Sequence, residues 1–195
     1  MDNKTNISGI NDFQDKFNDF LSDKCLSPAG MERVQNTLNF LSMYLTTNAV
    51  VIKTDGGLEG MICVMVRDSI SGGVEVGIKQ IGDNSDKEAL AAEMIRKTDE
   101  TSYDAVITIA EAWLVQFGRD QKPTCLPSES PDRTEAVVTS LHLNIDFKPC
   151  VITTIQPIVR EGGDVRLDCP RLNFCTSDEI SGRFAGFEKN LCPIT

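Results

Sequence analysis

Three long β-type runs between residues 104 and 160 limit what this chain can fold into more than any other feature. They are DAVITIAEAWLVQF (about 104–117), TEAVVTSLHLNI (134–145) and PCVITTIQPIVR (149–160). Each is dense in β-branched residues and alternates between two faces, the pattern of strands in a sheet. The second and third are joined by a turn over Asn144 to Lys148. That is too short for a crossover, so these two strands are expected to run antiparallel. The first and second are separated instead by a long connection, 118–133, holding Pro123, Pro127 and Pro131.

Upstream, the apolar period is helical. Phe13, Phe17, Phe20 and Leu21 predict a short amphipathic helix over 11–24. Ser27-Pro28 is an N-cap followed by proline at the first helical position. From there Met31, Val34, Leu38, Leu41 and Leu45 mark one face of a helix over about 28–46. After Asn48 the period changes. AVVIKTD, MICVMVRD and VEVGIKQI, separated by glycine pairs, predict a three-strand antiparallel meander. Gly56-Gly57 and Gly72-Gly73 lack phosphate-loop spacing and are read as turns. DNSDKEALAAEMIRKTDE (83–100) predicts a central helix with Leu90, Met94 and Ile95 inward. Beyond Arg160, EGGDVRLD predicts a turn and a short strand, and 170–195 is read as loop-rich. The fold class expected is therefore α+β: N-terminal helices, then a mostly antiparallel sheet with one central packed helix. A single domain over 1–195 is expected, with a helical segment 1–46, an α+β core 48–168 and a C-terminal tail 169–195.

Composition removes several function classes. The formal net charge is -10, and aromatic residues are not interleaved with basic ones. A nucleic-acid or anionic-membrane surface is therefore not expected. No run is long and apolar enough for a membrane span, and the polar N-terminus lacks a signal-peptide pattern, so a cytoplasmic location is expected. The seven cysteines show no C-x-x-C pair and are read as buried or incidental free thiols, with a disulfide between two C-terminal cysteines as the alternative and Cys125 as the candidate reactive thiol. The single histidine, His142, shares a strand face with Ala136, Val138 and Ser140 and reads as a satisfied strand residue. Histidine-based triads and zinc sites have nothing to build on. No cofactor, no metal site and no catalytic residue is assigned.

One position breaks the pattern. Alternation places Ala105, Ile107, Ile109, Glu111, Trp113 and Val115 on one face of the first run. A carboxylate on so apolar a face must find a donor or take up a proton. Arg133, at the end of the long connection, is the expected partner, with Trp113 covering the pair. The candidate pocket or structural clamp is thus Glu111, Trp113, Ser128, Asp132, Arg133 and Glu135. Ser128, Ser130 and Asp132 are placed to bond nearby backbone groups in the loop.

The pattern Glu111-Ala112-Trp113, Pro127-Ser128-x-x-Pro131-Asp132-Arg133-x-Glu135-Ala136, and a later strand ending in Arg160, resembles a signature of small uncharacterised bacterial and phage-encoded proteins. The likeness covers about residues 85–160. It implies a shared local structure and carries over no activity. The function expected is that of a non-enzymatic cytosolic accessory or interaction protein of bacterial or mobile-element origin. A homodimer through Met31, Val34, Leu38, Leu41 and Leu45, or through a sheet edge, is the partner expectation. Two rivals stand beside it. One is a carboxylate-based, metal-dependent hydrolase using Glu111, Asp132 and Glu135. The other is an acidic decoy for a basic partner.

Overall fold

Two N-terminal helices lie on one face of an antiparallel sheet. The computed structural model describes residues 4–58, 60–68, 74–81, 92–93, 95–96, 103–115, 125, 129–176 and 187–195. Helices α1 (Lys4–Ser22) and α2 (Pro28–Asp55) come first. The strands are β1 (Met61–Asp68), β2 (Val74–Ile81), β3 (Ala105–Leu114), β4 (Thr134–Ile145), β5 (Lys148–Glu161), β6 (Asp164–Leu167) and β7 (Arg171–Thr176). A final helical turn, α3, covers Phe187–Asn190. Of the helix expected over 83–100, the described positions Ala92, Glu93, Ile95 and Arg96 are helical. Leu90, Met94 and the Gly72-Gly73 turn lie outside the described residues.

The sheet runs β2-β1-β3-β4-β5, every neighbouring pair antiparallel. Beyond β5, β6 pairs with Ile158–Glu161 and β7 with Cys150–Ile155. Their registers differ by one residue (Ile158↔Leu167, Ile155↔Arg171). They therefore act as one edge strand interrupted by a bulge around Cys169. Asp146 and Phe147 form the two-residue β4–β5 turn, with φ of 48° and 59°. Both central residues lie in the left-handed region, as this hairpin twist requires.

Pairing assigns the faces. Ile62, Val64, Val66, Ala105, Ile107, Ile109, Val137, Leu141, Leu143, Cys150, Ile152, Ile158 and Phe174 share one face and form the main core with the helices. α1 seats its aromatic stripe on β7, Phe17 edge-on to Phe174 at 5.4 Å and Phe20 at 5.0 Å. The opposite face carries Met61, Cys63, Val106 and Ala110, packed with Phe187, Leu191 and Ile95.

Two expectations are corrected here. AVVIKTD is not a strand: α2 continues through it to Asp55 and stops at Gly56, in the left-handed conformation at φ 76°. Its N–H bonds the Ile52 carbonyl, a glycine C-cap. The β-branched run stays helical because Ile52 is 0% exposed in the core. Burial of such a side chain is worth roughly 2 kcal/mol, which outweighs a few tenths of propensity per residue. The stripe expected to seat a second copy is also accounted for. Val34 and Leu41 are buried in the core, Leu38 and Leu45 pack against it, and Met31 alone of the five is exposed.

The segment read as loop-rich is anchored too. Besides β7, it contributes Phe187, Leu191 and Ile194, all buried. Ile194 bridges Ile145 in parallel, and its N–H donates to the Asn144 carbonyl at 2.8 Å. The next residue reaches α2, where the Ser27 hydroxyl donates to the Thr195 carbonyl at 2.8 Å. Ser27 also accepts from the Gly30 N–H at 3.0 Å, closing the N-cap expected from Ser27-Pro28. No disulfide joins any two of the seven cysteines, all of which lie among the described residues. Among the described residues no helix is long and apolar enough to cross a membrane.

Candidate functional site

The helix-facing side of the sheet ends in a polar group. Trp113 pairs with Glu135, and Glu111 with Val137, across β3 and β4. Alternation puts Glu111, Trp113 and Glu135 on the same side as Ile158, two residues before Arg160. The end of α2 meets the sheet at this spot. Of the expected residues, Glu111, Trp113, Arg133 and Glu135 come together. Asp132 is exposed in the turn before β4, and Ser128 lies outside the described residues.

Glu111 solves its burial problem with a different donor from the one expected. Its carboxylate accepts the backbone N–H of Leu58 at 2.5 Å, just past the α2 C-cap. The side chain also fills the space beside Gly57. A Cβ there would sit 3.2 Å from Glu111 Oε1. The expected Glu111–Arg133 pair is absent because of register. Glu111 lies opposite Val137, four positions along from Arg133, and four residues of strand span about 13 Å.

Arg133 instead lies over the Trp113 ring, its guanidinium carbon 4.5 Å from the ring centroid. That is cation–π distance, worth about 0.5–1 kcal/mol at an exposed site. Trp113 remains 42% exposed despite this cover. The loop reaches the strand through Ser130, which is buried. Its hydroxyl accepts the Asp132 N–H at 3.3 Å, the backbone-bonding role expected of Ser130.

The carboxylate bound by arginine is Glu135, and the arginine is Arg160. Arg160 Nε and Nη2 donate to the two Glu135 oxygens at 2.8 and 3.0 Å. This fork holds the Glu135 carboxyl below the usual carboxylate range. Arg160 holds its own proton more tightly, chiefly through the Glu135 bond and also through the negative charge of Glu111. Sequence reasoning noted Arg160 only as the end of a strand. Its pairing depends on β5 lying beside β4, which the β4–β5 turn alone suggests.

The chemistry open to this group follows from what its oxygens already do. Glu111 is committed to a backbone N–H and Glu135 to a guanidinium. Among the described residues, no group of three or more His, Cys, Asp or Glu side chains is placed to hold a metal ion. Cys150, in the core, is no nucleophile: burial first, and then the charge of Glu188, push its thiol up to about 12. At the surface, Trp113 and Arg133 form an aromatic–guanidinium pair.

Compared with known proteins, no family model, no curated protein and no solved structure matches the chain.

Proposed function

We propose that this protein is a non-enzymatic interaction or accessory protein, and that Trp113 and Arg133 form its contact surface. One observation carries the reading: the carboxylates of the cluster are bonded internally, while Trp113 stays 42% exposed under the Arg133 guanidinium. Tryptophan and arginine are the residues most enriched where partners bind tightly. Glu111, Glu135 and Arg160 then act as the clamp that fixes the platform to the end of α2. Four residues of the Glu111-Ala112-Trp113 and Pro131-Asp132-Arg133-x-Glu135 pattern, Glu111, Trp113, Arg133 and Glu135, meet at this end of the sheet with Arg160. That supports reading the pattern as the imprint of a local structure.

The test places a photo-crosslinking amino acid at position 113, and as a control at exposed Asp164, in extract from the source organism. A discrete protein adduct at 113, weakened by Arg133→Ala and missing at 164, is the expected result. No adduct at 113, or equal labelling at both positions, overturns the reading. The hydrolase reading has its own signature: thermal stabilisation by Mg²⁺, Mn²⁺, Ca²⁺ or Zn²⁺ that disappears in Glu111→Gln. That outcome would replace the present proposal.

A further inference from the structure

On the sheet face opposite the helices, β4 presents His142 and Asn144 toward α3 and the residue after it. Both are more than nine-tenths buried, at 4% and 8% exposure. Each is held at one end. His142 Nδ1 lies 3.3 Å from Glu188 Oε2, and Glu188 is itself 1% exposed. The Asn144 amide nitrogen donates to the Leu191 carbonyl at 3.2 Å. Phe187 packs edge-on to the imidazole at 5.4 Å and fixes its plane. Their other ends are open: among the described residues, His142 Nε2 and Asn144 Oδ1 have no hydrogen-bond partner.

The fixed ends determine what the open ends require. A carboxylate accepts, so the Glu188 contact places a proton on Nδ1, and in the neutral ring this leaves a lone pair on Nε2. The bond to Leu191 uses an amide N–H and leaves the Asn144 oxygen as an acceptor. Residues two apart on a strand point to the same side, about 7 Å apart along the backbone. Two buried acceptors without donors, two residues apart on one strand face, are rare in folded proteins, and the usual remedy is an internal water. A single ligand with two hydrogens to give satisfies both.

We propose that one water molecule is built into this protein between β4 and the Phe187–Leu191 segment, donating one hydrogen to His142 Nε2 and the other to Asn144 Oδ1. It completes a chain, Glu188–His142–water–Asn144–Leu191, whose two ends belong to the same closing segment. The segment is thereby tied to the sheet at Glu188 and at Leu191 through one polar bridge inside an apolar contact of Phe187, Leu191 and Val106.

Because His142 is the only histidine, its ring signals need no assignment by mutation. Two-bond ¹H–¹⁵N spectra of the intact chain are expected to show the Nδ1–H tautomer, with Nε2 shifted from its free lone-pair position by an accepted hydrogen bond. Water-selective cross-relaxation is expected to reach the His142 ring protons from a long-lived water. In Asn144→Leu, which keeps the side-chain shape but removes the oxygen, that cross-peak is expected to fall severalfold while the tautomer is retained. An Nε2–H tautomer overturns the proposal. So does a free Nε2 lone pair with no water cross-peak, which marks a dry site. Should Asn144→Leu fail to fold, the unmodified chain alone decides between these outcomes.

Discussion

The Arg160 guanidinium grips both oxygens of Glu135, Nε at 2.8 Å and Nη2 at 3.0 Å, joining the end of β5 to the start of β4. The pair lies on a partly open surface, with 44% of the Arg160 and 21% of the Glu135 side chain exposed. Solvent screening therefore keeps its worth near 1 kcal/mol even with bidentate geometry. The sign of its pH dependence follows from the lowered Glu135 carboxyl. Its stabilisation is present above the unfolded carboxylate range and is lost as pH falls through the lower folded value. Glu135→Gln is thus expected to cost about 1 kcal/mol at pH 7, with the gap to the unmodified protein closing in acid. Urea denaturation at a series of pH values checks this; a gap that persists unchanged in acid would show that the ion pair is not its source.

Glu111 makes a different prediction. Its carboxylate is the acceptor for Leu58 N–H, so it acts as a side-chain stop for the chain leaving α2. Charge-assisted bonds of this kind contribute about 1.5–3 kcal/mol. Glu111→Ala is expected to lose about 2 kcal/mol and to speed amide exchange at Leu58 far more than at strand amides such as Ile107. Equal loss of protection throughout β3 would mean that the residue supports the sheet generally and not this junction.

How much of this was legible in the sequence depends on whether the signal was local. β4 and β5 are readable because alternation and a two-residue turn are properties of adjacent residues. The Ser27 cap was equally plain. The far half of α2 was not, because Val50, Val51 and Ile52 have strand-like shapes. Only the sheet beneath them makes a helix the better way to bury Ile52. Glu111 was legible as a problem, a carboxylate on an apolar face, but its solution was not. The donor is a backbone N–H more than fifty residues earlier, and a backbone group leaves no trace in composition. Glu188 and Ile194, deeply buried, were hidden for a related reason: their apolar neighbours are few, and their partners lie on β4.

Asn48 sits in the middle of α2, buried, with its amide donating to the Thr139 hydroxyl at 3.1 Å. This polar contact lies within the apolar stripe between Leu41 and Ile52, so it fixes how the helix is placed along the sheet. Removing one partner strands the other, at a cost of about 1–3 kcal/mol; removing both with apolar residues of similar shape costs less. Asn48→Leu and Thr139→Val are each expected to destabilise by about 1–2 kcal/mol. The double variant should be more stable than the sum of the two predicts. Simple additivity in a denaturation cycle would rule out a coupled pair.

Gly30 tests the closing segment from the helix side. It lies in the first turn of α2, directly beneath the Thr195 carbonyl that Ser27 also holds. In an open helix, replacing glycine by alanine adds about 1 kcal/mol of stability. Here an added Cβ overlaps the Thr195 backbone, and a backbone group cannot swing aside as a side-chain tip can. The overlap is expected to outweigh the propensity gain, giving a net loss of about 1–2 kcal/mol. Displacement of Thr195 should also loosen its neighbour, whose N–H is bonded to Asn144. Gly30→Ala should therefore lower the melting temperature and raise amide exchange at Ile194 while leaving β3 protected. A higher melting temperature would show that propensity wins and that the closing segment does not press on the α2 N-terminus.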